Sequence, residues 1–297
     1  MPSSSSIDTA DTDLIIPMRT GEIRTHGEEG FEGMRRAGQL VSACLDMLVP
    51  EVKVGVTTEY LDRLIYDFVM DHGAQSATIG YRGYTHASCI SLNHVICHGI
   101  PGPRTLKDGD IANIDVTLIL DGWHGDHSRM YVAGTPKRKH ERLMDATYTA
   151  MMAGIDAIKP GARVADIAMA ISEVAKKSRL SVVDDFCGHG LGQLFHDEPN
   201  VVHAWPQYVR NEQGRVVRKR EYDEFPELQP GMFFTVEPML NLGKEKAVIL
   251  SDGWTAVTRD KQWSAQYEHS VGVTEDGVEI FTGSPTGLHT PHTLRQT

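Results

Sequence analysis

Four acidic residues stand where apolar strands ought to run. Asp115 lies inside the run Ile111–Leu120, Asp126 follows the Asp121-Gly122 pair, Glu237 sits in "FFTVEPM" and Glu268 in "SAQYEHSVGV". Acids are poor strand formers and rarely go fully buried without a partner. Asp-Gly between two apolar runs favours a two-residue hairpin turn. That turn pairs Leu120 with Trp123, Thr117 with Asp126 and Asp115 with Ser128. Alternation then puts Asp115, Thr117 and Asp126 on one face, with the two acids diagonal neighbours about 7–8 Å apart. Taken alone, the hairpin reads equally well as an edge with its acids in solvent. A further residue weighs on that choice: His189 in "CGHGLG" stands between glycines, which let a backbone approach its neighbours closely.

Two ionised carboxylates forced together in a core repel unless one is protonated or a cation lies between them. Four strand carboxylates and one imidazole suit two divalent ions a few ångströms apart, of the Mn, Fe, Co or Zn kind. A thiolate zinc site using Cys97 or Cys187 fits less well. Alternation turns Cys97 away from His98, and neither thiol has zinc-knuckle spacing.

The elements that must carry these residues come in a repeated order. "GMRRAGQLVSACLDML", from Gly33 to Leu48, has helical periodicity; a break at "VPEVKVG" precedes the Thr-capped "TTEYLDRLIYDFVMDHG". Strand-like "ASCISLNHVICHGIP" and the 111–132 hairpin follow. Then "HERLMDATYTAMMAGIDAI", a "KPG" break and "ARVADIAMAISEVAKKSRL" repeat the helices, and "SVVDDFCGHGLGQ", "GMFFTVEPML" and "QYEHSVGV" repeat the strands. Leu61, Ile65 and Phe68 match Ile167, Ile171 and Val174 in position. The order predicts an α+β fold of two similar halves with the chemistry between them.

With 297 residues, the chain is long enough for one large domain of two halves. A net charge of −11 argues against nucleic acid as a partner. No apolar run reaches the length of a membrane span, and the N-terminus reads as no secretory signal. Four scattered cysteines point to a reducing cytoplasm. Residues 1–28 read as a flexible or surface-laid tail, 29–282 as one catalytic domain with halves of about 29–135 and 136–282, and 283–297 as a C-terminal tail. The basic cluster Arg210, Arg215, Arg218, Lys219 and Arg220 reads as a solvated hairpin; a ribosome-facing patch is the sharper alternative, carried by charge alone.

Five motifs, "SLNHVICHGIP", "NIDVTLILDGWHGDHSRM", "CGHGLGQLFHDEPNV", "PGMFFTVEPM" and "SAQYEHSVGV", make the chain resemble the type I methionine aminopeptidases, the short bacterial form, over residues of about 30 to 282. The resemblance implies the pita-bread fold, with a curved antiparallel sheet flanked by helices. It implies that Asp115 chelates a first metal, Asp126 and Glu268 bridge two, and His189 and Glu237 complete the second. A water bridging the ions would attack the first peptide carbonyl, with Glu237 moving its proton. His98 would lie on the substrate side and His196 would hydrogen-bond the scissile peptide and its oxyanion. Tyr81, Tyr84, Cys89, Phe195 and Trp254 would wall a pocket for an unbranched thioether. The implied reaction removes the initiator methionine from nascent chains with a small second residue, in the cytoplasm, by a monomer. Two departures stand out: Thr78 occupies a position where several bacterial members carry Cys, and the segment at about 205–225 is longer than in the minimal bacterial enzymes.

Three rivals remain. A proline-directed aminopeptidase or dipeptidase of the same fold would carry a further N-terminal domain, whereas only about 28 residues precede the first helix here. A non-catalytic binding module would have lost ligands, and all five positions are filled. A two-metal phosphoesterase would need cations beside the acids, where the motifs supply His and aromatic residues.

Overall fold

Each half starts with two helices that lay an apolar stripe on a sheet. In the first half these are α1, Glu28–Met47, and α2, Thr58–Asp71; in the second, α3, Arg138–Asp156, and α4, Val164–Ser178. A computed structural model describes residues 20–291 and 294, so the parts of the two tails at 1–19, 292–293 and 295–297 lie outside the described residues. The breaks between the helices correspond closely. Gly55 and Gly161 both take left-handed backbone, at φ 96° and 82°, a conformation open to glycine without a Cβ penalty. Gly55 N donates to Leu106 O and Gly161 N to Leu228 O, and short bridges Thr57–Thr105 and Arg163–Glu227 sit beside them. Thr57 caps α2 by accepting from Tyr60 N, as its sequence position suggested. The helix expected from Gly33 begins earlier, at Glu28, despite two glycines. Tertiary packing outweighs their low propensity: a Cβ on Gly33 would lie 2.4 Å from the Trp123 ring, so only glycine seats α1 this close.

Strands Ile111–Leu120 and Trp123–Val132 pair in the register that the Asp-Gly turn dictates, including Thr117 with Asp126 and Asp115 with Ser128. Asp121 and Gly122 both have positive φ, 50° and 82°, as the favoured hairpin turn requires. On the other side Cys89–Leu92 adds to the sheet, with Cys89 opposite Asp115. In the second half Phe233–Val236 forms the centre of a five-stranded sheet, between His269–Val273 and Gly188–Gly190. Met239–Asn241 belongs to another sheet, between Ser264–Gln266 and Ser181–Val182. The chain therefore changes sheets at Glu237-Pro238 and again at Tyr267-Glu268. Both acids stand at breaks between strands, not within them as the apolar runs suggested, and Pro238 cannot donate to a ladder.

Two cores lie under the two helix pairs. Leu45, Leu61, Ile65, Ile114 and Val116 fill the first, while Leu143, Ile155, Ile167, Ile171, Phe234 and Val271 fill the second. Phe68 and Val174 pack at the edge of their respective cores, so the three matched pairs keep equivalent places. Strand pairing crosses between the halves, with Ala256 opposite Cys97, and Glu268 N donates to Ser128 O at 3.2 Å. The basic segment forms an outlying hairpin of Tyr208–Arg210 and Val216–Lys219. Its cations are engaged locally: Arg218 pairs with Glu224 at 2.6 Å, Lys219 lies over Trp205 and Arg220 over Phe225. Among the described residues, no helix is long and apolar enough to cross a membrane.

The 111–132 hairpin lies flush on α1 at Gly125, where a Cβ would come within 2.3 Å of Ala37 O. Neither backbone can yield without moving Asp126 next to it. Gly125→Ala is expected to cost on the order of 1–3 kcal/mol, read as a lowered urea midpoint with unchanged slope.

Candidate metal centre

All twelve residues singled out in the sequence line one cavity of about 540 Å³: Tyr81, Tyr84, Cys89, His98, Asp115, Asp126, His189, Phe195, His196, Glu237, Trp254 and Glu268. Its floor is acidic. One oxygen each of Asp126 and Glu268 and one nitrogen of His189 lie within 4.8 Å of one another, all buried. His189 Nε2 stands 3.6 Å from Asp126 Oδ2 and 3.7 Å from Glu237 Oε1. Its Nδ1 lies 3.2 Å from Gly190 O; a proton there leaves the Nε2 lone pair facing the acids. The flanking glycines explain how the ring arrives. A Cβ on Gly188 would fall 2.3 Å from Thr235 O and one on Gly190 2.1 Å from Glu198 O, so the 188–190 strand fits between its neighbours only without side chains.

Asp126 and Glu237 are oriented by neighbouring side chains. Thr117 Oγ1 donates to Asp126 Oδ1 at 2.8 Å, and Thr235 Oγ1 donates to Glu237 Oε1 at 2.8 Å. Gln266 Nε2 donates to Glu237 Oε2 at 3.2 Å, and Glu237 N donates to His203 Nε2 at 3.2 Å. The backbone carbonyl of Asp126 accepts from Ser270 Oγ at 2.6 Å. Of these supports the sequence pointed only to Thr117. Thr235 lies two residues before Glu237, near the end of the strand that Glu237 follows, a spacing that alternation makes informative. His203 carries no such signal.

Burial raises the proton affinity of every acid on the floor. Burial pushes the Asp126 carboxyl up to about 7, against the opposing bond from Thr117. Asp115, Glu237 and Glu268 stand well above the usual carboxylate range, through burial first and then the charges of the other acids. Among the described residues, no Lys or Arg pairs with any of the four. A donor set of buried carboxylates and one imidazole, lacking a protein cation, fits divalent metal. No thiol belongs to the described cluster; Cys97 is buried beside Ile96 and Met239 behind the cavity, and Cys187 Sγ lies 3.7 Å from Asn200 Oδ1.

The opposite wall is aromatic. Tyr84 meets Trp254 edge-on at 5.0 Å, and its hydroxyl donates to Ser88 O. Tyr81 packs on Phe195 at 4.9 Å and on His196 at 5.1 Å, and His196 lies 4.1 Å from the His189 ring. His98 takes left-handed backbone, φ 55°, and sits between the edges of Phe186 and Trp254; burial lowers its pKa. At the rim, Thr78 Oγ1 donates to His86 O at 2.7 Å, so its hydroxyl is engaged by the backbone.

This architecture and site are those of a metallopeptidase: a model of metallopeptidase family M24 matches residues 32–275. A methionine aminopeptidase of Rickettsia prowazekii is 47% identical over 270 residues, covering 91% of this chain and 98% of that one. Methionine aminopeptidase A of Synechocystis is 47% identical over 253 residues, covering 85% and 94%. The crystal structure of methionine aminopeptidase from Rickettsia prowazekii superposes with a TM-score of 0.80 over 88% of this chain and 100% of that one. The prolidase from Pyrococcus furiosus, at 18% identity and a TM-score of 0.66, shares the fold alone. The chain belongs to metallopeptidase family M24, and the resemblance to methionine aminopeptidases that the five motifs carried is borne out. The α+β, pita-bread reading of two similar halves holds with it.

The acids also predict how the metal-free chain responds to pH. An unfolded aspartate ionises near about 3.9, whereas folded Asp126 keeps its proton up to about 7. The folded state then binds more protons than the unfolded one in between, so stability falls as pH rises through that window. Divalent ions bind the ionised carboxylates and oppose this loss. Chelator-stripped protein is expected to show a falling Tm from about pH 5 to about pH 7.5, with added Mn raising Tm more at the upper end. An equal Mn effect at both ends would contradict the account of the acids.

Proposed function

We propose that the protein removes the initiator methionine from nascent chains whose second residue is small, using two divalent ions held by Asp115, Asp126, His189, Glu237 and Glu268. The observation that carries this reading is the convergence of acids from both halves on one floor beneath an aromatic wall. Two dications would balance the four negative charges, with which no Lys or Arg pairs among the described residues. Which of Mn, Fe, Co or Zn serves is left to cellular supply, since oxygen and nitrogen donors accept them all.

When bound, the ions would supply Lewis-acid chemistry, lowering the pKa of a water and polarising the first peptide carbonyl. The rest falls to side chains of the cavity. Glu237, with both oxygens held by Thr235 and Gln266, takes the proton of the attacking water and returns it to the leaving amine. His196, stacked on Tyr81 and tilted against His189, donates to the carbonyl oxygen as negative charge develops. His98, kept neutral by burial, holds the peptide on the substrate side. Tyr81, Tyr84, Cys89, Phe195 and Trp254 surround the methionine side chain, whose sulfur suits aromatic edges. The free α-amino group could bind a metal only when unprotonated, which would direct cleavage to the first residue. Docking on the ribosome keeps no support beyond the charge of the 208–219 hairpin.

Cleavage of Met-Ala-Ser but not Ala-Pro-Ala peptides, dependent on added Mn or Co, is the expected outcome; the reverse preference would mark a proline-directed enzyme. Asp115→Asn and Glu268→Gln should each abolish turnover and lower metal content. His196→Ala should cut turnover by about 10²-fold or more with metal content intact, and a matching loss of metal would make His196 a ligand instead.

A further inference from the structure

One residue past Asp126, alternation turns His127 to the opposite face of its strand, where it is 1% exposed. Its Nδ1 meets the backbone carbonyl of Glu268, and its Nε2 lies 2.9 Å from Arg129 Nε. A guanidinium can only donate. Nε2 must therefore accept, and Nδ1 carries the proton that goes to Glu268 O. Arg129 is itself fixed, donating to Asp46 and, at 3.1 Å, to Ser42 O. Asp46 in turn accepts from the Ser284 and Thr286 hydroxyls, each at 2.8 Å. The imidazole also lies flat on the His269 ring, centroids 4.7 Å apart and 13° from parallel. Glu268 needs such a hold because it sits at the break between Ser264–Gln266 and His269–Val273, with one bridge to Ser128 and no continuous ladder.

We propose that His127 is a positioning residue for Glu268. It fixes the 268–269 peptide plane, and through it the carboxylate, with Arg129 and Asp46 setting its tautomer. The inference rests on the reading of Glu268 as a metal ligand. Groups that orient metal ligands commonly change metal affinity by about 10–100-fold when removed.

Two variants of equal polarity and different reach separate this role from packing. In His127→Asn the amide nitrogen lies where Nδ1 does and still reaches Glu268 O; in His127→Gln it lies where Nε2 does and misses it. Mn affinity would be measured by calorimetry on chelator-stripped protein, with Tm recorded alongside and Glu268→Gln as reference. Glu268→Gln should lose Mn binding, His127→Gln should weaken it by about 10–100-fold, and His127→Asn should bind at least about tenfold more tightly than His127→Gln. Wild-type affinity in both His127 variants, or equal weakening in both, would overturn the proposal. Wild-type Mn affinity in Glu268→Gln would instead overturn the ligand reading on which it rests.

Discussion

Repulsion among four carboxylates packed away from water is the constraint around which this molecule is organised. A lone buried carboxylate already favours its protonated form, and neighbours of like charge compound the effect. Here the acids meet with one imidazole beside them and, among the described residues, no lysine or arginine in contact. In a metal-free chain protonation meets the cost of such an arrangement, and bound cations relieve it once the acids ionise. Stability and chemistry thus share a single cause. The ions that relieve the strain of folding are the same ions a peptidase of this family needs.

Holding the acids together falls to two structural devices. The first is the long hairpin, whose turn and register place Asp115 and Asp126 on one face. The second is the pair of sheet crossings, which deliver Glu237 and Glu268 from the ends of strands that belong to different sheets. A strand end leaves backbone groups without a ladder, and side chains take over that duty: His203 for Glu237 N, and His127 for Glu268 O. The glycines around His189 then allow the fifth donor to approach between two neighbouring strands.

What could be read from the sequence follows from which constraints are local. The hairpin register was legible because an Asp-Gly turn and a period of two leave one solution, and the observed pairs agree with it. The two-half organisation was legible in the matched apolar positions, which lie in separate cores. The sheet crossings at Glu237 and Glu268 were not, since an apolar run looks the same whether it stays in one sheet or passes to another. Nor was the reason for Gly33 inside α1, which lies against Trp123 from a distant strand. Gln266, His203 and His127 escaped notice for a related reason: a single polar residue announces nothing until its partner, far along the chain, is known.

The dependence on Glu268 bears on the protein's own synthesis. Translation delivers Asp115 and Asp126 first, then His189 and Glu237, and Glu268 last of the five. Until that last carboxylate has cleared the exit tunnel, the growing polypeptide carries an incomplete constellation. On the proposed ligand reading, a chain that has not yet delivered Glu268 lacks one of its five donors and does not cleave peptides.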